Sequence, residues 1–232
     1  MTTTRPSGSE PWRKRLYVPN YQIGEAARYA RLSRQTITAW HRYGARRALS
    51  AKEHRLALSY LQLIEVAVVA SMRGSGISLS EIRETREYAS KTWKSDYPFA
   101  EHRFKTDGRS LFLDFLEVEG RKGRGTLIRP GRGGQLAWAD ILGRLKEFHY
   151  EREGIVIRWH VAGPESDILI DPRVAFGSPH IDGTPTWVIK SRFDAGESLD
   201  EISDDFDLEE RQVQEALAFE GIEPDLLRTW VH

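Results

Sequence analysis

The chain has 232 residues, of which 40% are hydrophobic and 29% are charged. This is the composition of a soluble globular protein that is long enough for two or three compact units. It contains no cysteine, which excludes disulfides, thiolate zinc ligands and cysteine nucleophiles. Its longest apolar run, residues 66–70, is far shorter than the about 18 residues of a membrane span, and the first ten residues lack the apolar core of a secretion signal. We therefore expect a cytoplasmic protein.

The two ends of the chain carry opposite charge, although the formal net charge is zero. Residues 1–60 contain 12 Lys/Arg and 3 Asp/Glu, a charge of +9, whereas residues 166–232 contain 5 Lys/Arg and 16 Asp/Glu, a charge of −11. Such asymmetry indicates two different partners, with a polyanion at the basic end. The alternative is that the two ends pair with each other.

The basic end has the pattern of two short helices joined by a tight turn. The helices are predicted over residues 23–29 and 34–43, and Ser33 has the side chain of an N-cap for the second. Ile37 and Trp40 lie three residues apart, so both face the core. The opposite face of the second helix is then free to contact a ligand.

This arrangement is that of a helix-turn-helix, whose second helix presents its first side chains to base edges while nearby cations neutralise phosphates. Arg34 and Gln35 are the types that pair with guanine and adenine edges, and threonines can bond phosphates or touch thymine methyls. The alternative is a helical hairpin with a solvated basic face. The candidate DNA-binding residues are Arg28, Ser33, Arg34, Gln35, Thr36, Thr38, Arg42, Arg46 and Arg47.

The helical pattern continues to about residue 95 and then becomes mixed. Ser78 and Glu81 form the pattern of a capping box, and Asp107 with Gly108 has the pattern of a hairpin turn. We therefore predict an α+β fold with a small mixed α/β middle section over residues 96–165. The predicted elements are helices over 51–73 and 78–93, a hairpin over 102–116, a helix over 138–148 and a strand over 154–161.

The acidic end is predicted to hold three short helices, over residues 186–195, 198–206 and 209–220. Its charge would repel phosphate, so protein binding is favoured over DNA binding. Large apolar residues beside the chain end suit a groove on a partner protein. The alternative is a tail that docks on its own domain. The candidate partner-binding residues are Leu226, Leu227, Arg228 and Trp230.

The chain lacks the sequence patterns of an enzyme. None of its seven histidines has a His or carboxylate partner at a known metal-site spacing, and the Gly- and Arg-rich segment 120–134 lacks the order of a phosphate-binding loop. His41, within the second helix, is interpreted as a DNA neighbour or a surface residue. We expect no catalysis, no metal and no cofactor.

Two segments resemble known families. Residues 21–44, together with 76–83, resemble the DNA-binding head of MerR-type regulators, which implies a winged helix-turn-helix over residues 21–95 after a flexible leader over 1–20. The motifs Gly177-Ser-Pro-His-Ile-Asp-Gly-Thr-Pro185, Gly196-Glu-Ser198 and Val213-Gln-Glu-Ala-Leu217 resemble a small domain of unknown function often found in antitoxins. Pro185 stands where that pattern usually has Arg. This resemblance implies a three-helix domain over residues 166–222, followed by a tail over 223–232.

The combination of this head and this tail resembles a VapB-type antitoxin. The resemblance implies an antitoxin of a type II pair that neutralises a PIN-domain ribonuclease toxin through the tail, and that represses its own operon by binding DNA as a homodimer. Two alternatives stay open. One is a MerR-like regulator with an effector pocket in residues 97–165, and the other is an interaction adaptor without DNA binding.

Overall fold

The basic head, the small sheet and the acidic helices share a continuous set of packing contacts in the structure, a computed structural model. The structure describes residues 11–42, 48–50, 57–101, 145–151 and 154–223. These residues form an α+β fold. Their helices are α1 (Pro11–Arg15), α2 (Ile23–Tyr29), α3 (Arg34–Arg42), α4 (Tyr60–Gly74), α5 (Leu79–Trp93), α6 (Thr186–Asp194), α7 (Leu199–Phe206) and α8 (Glu210–Phe219). Their strands are β1 (Tyr21–Gln22), β2 (Ala57–Leu58), β3 (Phe148–Tyr150), β4 (Val156–His160), β5 (Leu169–Ile170), β6 (His180–Ile181) and β7 (Thr184–Pro185).

The turn between α2 and α3 forms where it is predicted. The backbone reverses at Arg31, which has a left-handed φ of 53°, and the amide of Leu32 donates to the carbonyl of Ala27 at 2.8 Å. Ser33 then caps α3, since its Oγ accepts from the amide of Thr36 at 3.1 Å. Both the turn and the N-cap predicted from the sequence are confirmed.

The helix predicted over residues 51–73 begins later in the structure, and that boundary is wrong. Ala57 and Leu58 form β2, which pairs antiparallel with β1. Ser59 caps α4 through a capping box with Gln62, so the helix starts at Tyr60. The predicted segment 51–56 lies outside the described residues.

The long helix α4 lies at the centre of the packing. It contacts α2, α5, β4 and the short 3-10 helix Pro98–Ala100. Most of its residues are buried, including the charged Glu65. A helix that is buried all round carries few polar residues, which explains the apolar run over residues 66–70. The helix α5 follows, capped by Ser78 and Glu81 as predicted.

The described part of the middle section contributes β3 and β4 to an antiparallel sheet, and the following segment, residues 166–185, contributes β5, β6 and β7. The strand order of this sheet is β3-β4-β5-β6-β7, so each strand pairs with its neighbour in sequence. The strand predicted over 154–161 is confirmed as β4. The helix predicted over 138–148 is wrong at its end, because Leu145–Glu147 is a 3-10 turn and Phe148 begins β3. The predicted hairpin over 102–116 lies outside the described residues.

The three C-terminal helices follow directly from β7. Each observed end of α6, α7 and α8 lies within one residue of its predicted position. Ile189, Ile202 and Val213, one from each helix, are fully buried together. Within the described ranges, no helix is long and apolar enough to cross a membrane.

Candidate nucleic-acid interface

The first turn of α3 presents polar side chains to solvent. Arg34 and Gln35 are exposed, whereas Ile37 and Trp40 on the opposite side are buried in the core. The structure therefore separates the two faces of the helix as predicted. The guanidinium of Arg34 lies over Gly24 at the start of α2, where an added Cβ would come within 2.7 Å of its Nη2.

The hydroxyl groups of this turn serve the helix itself. Ser33 Oγ lies 2.9 Å from Thr36 Oγ1, in addition to capping the helix, and Thr38 Oγ1 donates to the carbonyl of Arg34 at 2.9 Å. These bonds stabilise the first turn of α3, which carries Arg34 and Gln35. Phosphate contacts by the three hydroxyls stay predictions.

Arg28 takes part in an intramolecular contact with the acidic end. Its Nη1 pairs with Glu220 at 2.8 Å and lies 3.4 Å from the carbonyl of Phe219. Its side chain is still 42% exposed, so a phosphate would have to share it with Glu220. The side chain of Arg42 and the whole of Arg46, Arg47 and the tail residues Leu226, Leu227, Arg228 and Trp230 lie outside the described residues.

His41 does not lie on the surface, so its interpretation as a surface residue is wrong. It is only 9% exposed, and its Nδ1 lies 3.3 Å from the carbonyl of Ser50. The reason is that residues 48–50 fold back over α3. Glu65 stabilises this position of residues 48–50, because its Oε2 accepts from the amide of Ser50 at 2.8 Å.

Glu65 is a buried carboxylate that the sequence reasoning missed. Its Oε1 also lies 3.4 Å from Nε of Arg86. Burial raises the pKa of Glu65, while the charge of Arg86 and the bonds from Ser50 act against that rise. A single acidic residue within the apolar face of α4 was the signal that could have found it, since such a residue needs a partner.

The end of α8 packs on α2, the first helix of the predicted helix-turn-helix. The rings of Tyr29 and Phe219 stack with centroids 6.1 Å apart, and the guanidinium of Arg28 lies about 5 Å from both rings. Glu220 also accepts a bond from the buried Thr186 at 2.6 Å. Through Arg28 and Glu220, therefore, the basic end of the chain pairs with the acidic end.

Two further bonds join the head to the rest of the chain. Nη2 of Arg31, in the turn between α2 and α3, donates to the carbonyl of Ala162 at 3.1 Å. The buried hydroxyl of Tyr21 donates to the carbonyl of Gly177 at 3.0 Å. These bonds hold the head at both ends of α2. The surface of α3 that carries Arg34 and Gln35 stays exposed.

A charged cluster fixes the segment that leads into the C-terminal helices. Asp171 is buried and accepts from the amide and guanidinium of Arg173, with Arg158 at 3.3 Å. Burial raises the pKa of Asp171, but the bonds and charge of Arg173 and Arg158 outweigh it and hold the pKa below its usual range. Among the described residues, no group of three or more His, Asp or Glu could hold a metal ion.

Comparisons with known proteins agree with this architecture. Residues 168–219 match a family model described as "Protein of unknown function (DUF433)", which covers β5 to α8. The chain is 24% identical over 235 residues to a Mycobacterium tuberculosis protein named "Putative antitoxin VapB45", and the alignment covers 91% of this chain and 98% of that relative. The fold is similar to the X-ray crystal structure of Rv2018 from Mycobacterium tuberculosis, with a TM-score of 0.70, 20% identity, and coverage of 88% of this chain and 99% of that chain.

Proposed function

We propose that this protein is the antitoxin of a type II toxin–antitoxin pair. It binds and neutralises a PIN-domain ribonuclease toxin, and it represses its own operon by binding DNA as a homodimer. The observation that carries the proposal is the similarity to an antitoxin-named protein along 91% of this chain and 98% of that relative. Similarity over nearly the whole of both chains ties the proposal to the complete architecture and not to one shared domain.

The DNA-binding part of the proposal is supported by the exposed first turn of α3. Arg34 and Gln35 leave this turn toward solvent, and both have side chains that can form two hydrogen bonds with one base. The end of α2 packs on Phe219 and Glu220 at the end of α8, so α3 is the helix that would enter the major groove. Arg31 and Arg28 then hold the head in place rather than read bases.

A gel shift with the chain's own promoter tests this part. Changing Arg34 and Gln35 to Ala should weaken binding by about 1–3 kcal/mol for each lost base contact. Lys91→Ala is the matched control, since Lys91 is an equally basic residue on α5 with a side chain 75% exposed. Equal retardation by all three proteins would overturn the DNA-binding assignment.

Co-expression with a PIN-domain protein encoded beside this chain tests the toxin-binding part. The chain should rescue growth and co-purify with the toxin. Arg228→Glu, or removal of residues 223–232, should abolish rescue and leave the gel shift intact, whereas Lys91→Glu should preserve both. Rescue that persists in the truncated protein would show that the tail is not the inhibitory segment.

A second candidate function, an effector-binding regulator, has one observation in its favour. A cavity of about 190 Å³ lies between the head and the sheet, lined among others by Tyr29, Arg31 and Trp159. A ligand there would touch the turn of the helix-turn-helix. This regulator would bind the promoter but would neither rescue cells from a PIN-domain protein nor co-purify with one.

A further inference from the structure

Two histidines face each other across neighbouring strands of the sheet. His149 on β3 and His160 on β4 have their Nε2 atoms 2.9 Å apart. Their ring centroids are 4.9 Å apart. The register pairs His149 with Arg158, so the two histidines are diagonal neighbours on the same face of an antiparallel pair. Strand pairing therefore fixes the distance between them.

The orientation of the His160 ring is set by a backbone bond. Its Nδ1 lies 2.7 Å from the carbonyl oxygen of Ser166. A carbonyl oxygen only accepts, so Nδ1 carries the hydrogen and Nε2 of the neutral ring presents a lone pair. Ser166 is itself held, because its hydroxyl donates to Glu215 at 2.5 Å and accepts from the amide of Ile168 at 3.0 Å.

This is the arrangement that orients histidine ligands of metal ions, in which the second ring nitrogen donates to a backbone carbonyl or a carboxylate. We propose that His149 and His160 bind a divalent transition-metal ion of the zinc class through their two Nε2 atoms. Imidazole nitrogen suits zinc, nickel and copper ions better than magnesium or calcium. The proposal goes beyond the antitoxin function and does not depend on it.

The observed separation is close to what a shared ion requires. Two nitrogens at about 2.0–2.1 Å from a tetrahedral zinc ion lie about 3.3 Å apart, so the rings need to separate by about 0.4 Å. The hydrogen that now lies between the two Nε2 atoms belongs to His149; on metal binding Nε2 gives up this proton and Nδ1 of the same ring takes one up from solvent, so that the neutral ring presents its Nε2 lone pair. His149 is exposed, and the remaining coordination positions are therefore open to water or to an external ligand.

A metal ion bound to His149 and His160 would lie close to a contact that holds the head in place. His160 ends β4, and two residues later the carbonyl of Ala162 accepts the bond from Arg31 in the turn of the helix-turn-helix. An ion held by both strands would link β3 to the end of β4 that braces the head. Zinc should therefore raise the thermal stability of the protein, because a ligand that binds only the folded state stabilises it.

Zinc titration of the full-length protein tests the proposal. Isothermal titration calorimetry should give saturable binding, and the ring nitrogens of His149 and His160 should shift in NMR spectra of the histidine side chains. His149→Gln and His160→Gln should each weaken zinc binding by at least about tenfold, or about 1.4 kcal/mol. His180→Gln, a histidine on β6 of the same sheet, is the matched control and should retain the binding.

The outcomes separate this site from the other histidines of the chain. The proposal is overturned if zinc binds the wild type and the His149→Gln variant with equal affinity, or if zinc shifts other histidine rings only. Because His149 is exposed, its replacement should leave the fold intact. An unchanged melting temperature of this variant without zinc verifies that lost binding does not come from unfolding.

Discussion

Gly177 occupies a crowded position in the short turn over residues 175–177. Its φ is +81°, and an added Cβ would lie 2.2 Å from the hydroxyl oxygen of Tyr21. The same hydroxyl donates to the carbonyl of Gly177. A side chain here would therefore suffer both a left-handed backbone and a clash with the bond that ties the head to the sheet.

Gly177→Ala should consequently destabilise the protein more than a glycine change with open space around it. Gly196 is the matched control, because it has a φ of +95° and no atom within 4 Å of an added Cβ. Gly196→Ala should cost about 1–2 kcal/mol, the left-handed penalty alone. Gly177→Ala should cost about 1–3 kcal/mol more, as overpacking does. Equal urea midpoints for the two variants would contradict this account.

His180 gives the protein a predictable response to acid. It is 4% exposed, and its Nδ1 accepts from the amide of Gly183 at 3.2 Å. Burial lowers the pKa of His180 below its ordinary value of 6.5, with Asp171 acting against that change. The unfolded chain therefore takes up a proton at this ring before the folded chain does.

The contribution of His180 to stability should be complete above about pH 6.5 and fall as the pH drops toward the lowered folded pKa. The variant His180→Gln has no titrating ring at this position, so it does not undergo this loss of stability at acid pH. The difference in unfolding free energy between wild type and variant should therefore shrink from pH 7 to pH 5, measured by urea unfolding at each pH. A difference that stays constant would show that folding leaves the pKa of His180 unchanged, and a difference that grows toward acid would show that folding raises it.

At the scale of elements, the contact between α2 and α8 depends on Phe219. Phe219→Ala should cost about 1–2 kcal/mol through the lost aromatic pair and part of its buried area. Amide hydrogen exchange should speed up in α2, although the change lies on α8. Phe206→Ala is the matched control, because Phe206 is also half-buried but contacts Arg192 within the same three helices. Exchange in α2 that responds equally to both variants would argue against a direct contact.

Elements defined by local signals could be predicted from the sequence. The N-caps Ser33 and Ser78, and the ends of the three C-terminal helices, depend on hydrogen bonds within a few residues, and these predictions are confirmed. Residues 57–58 became a strand because they pair with the distant residues 21–22, and residues 148–150 because they pair with the neighbouring strand β4. A helical period within a single segment carries no information about such partners.

The residues of the candidate sites could likewise be predicted only where a local pattern determines their position. The exposed positions of Arg34 and Gln35 follow from the period of one helix, so the sequence alone could place them. Arg28 was assigned to phosphate because nothing local indicates that Glu220, 192 residues later, lies 2.8 Å away. The pairing of His149 with His160 was missed because the segment ending at residue 148 was predicted as a helix, and only the register of β3 with β4 brings the two rings together.

At the scale of the whole molecule, the apolar core is continuous from Leu16 to Leu217. Ile202 lies in the C-terminal helices and is fully buried. Ile202→Ala should destabilise the protein by about 2–5 kcal/mol. Because the head shares the core, tryptophan fluorescence and circular dichroism should still report one coincident urea transition, shifted as a whole. A separate, unshifted transition of the head would show that the two parts unfold independently.

The stacking of Tyr29 on Phe219 has a consequence for how such proteins can recombine. A hybrid that joins this head to the last third of a related protein would leave one face of α2 without its aromatic neighbour, and Arg28 without its carboxylate. Stable hybrids should therefore arise only when the aromatic and acidic residues that end the final helix are inherited together with the α2 they cover.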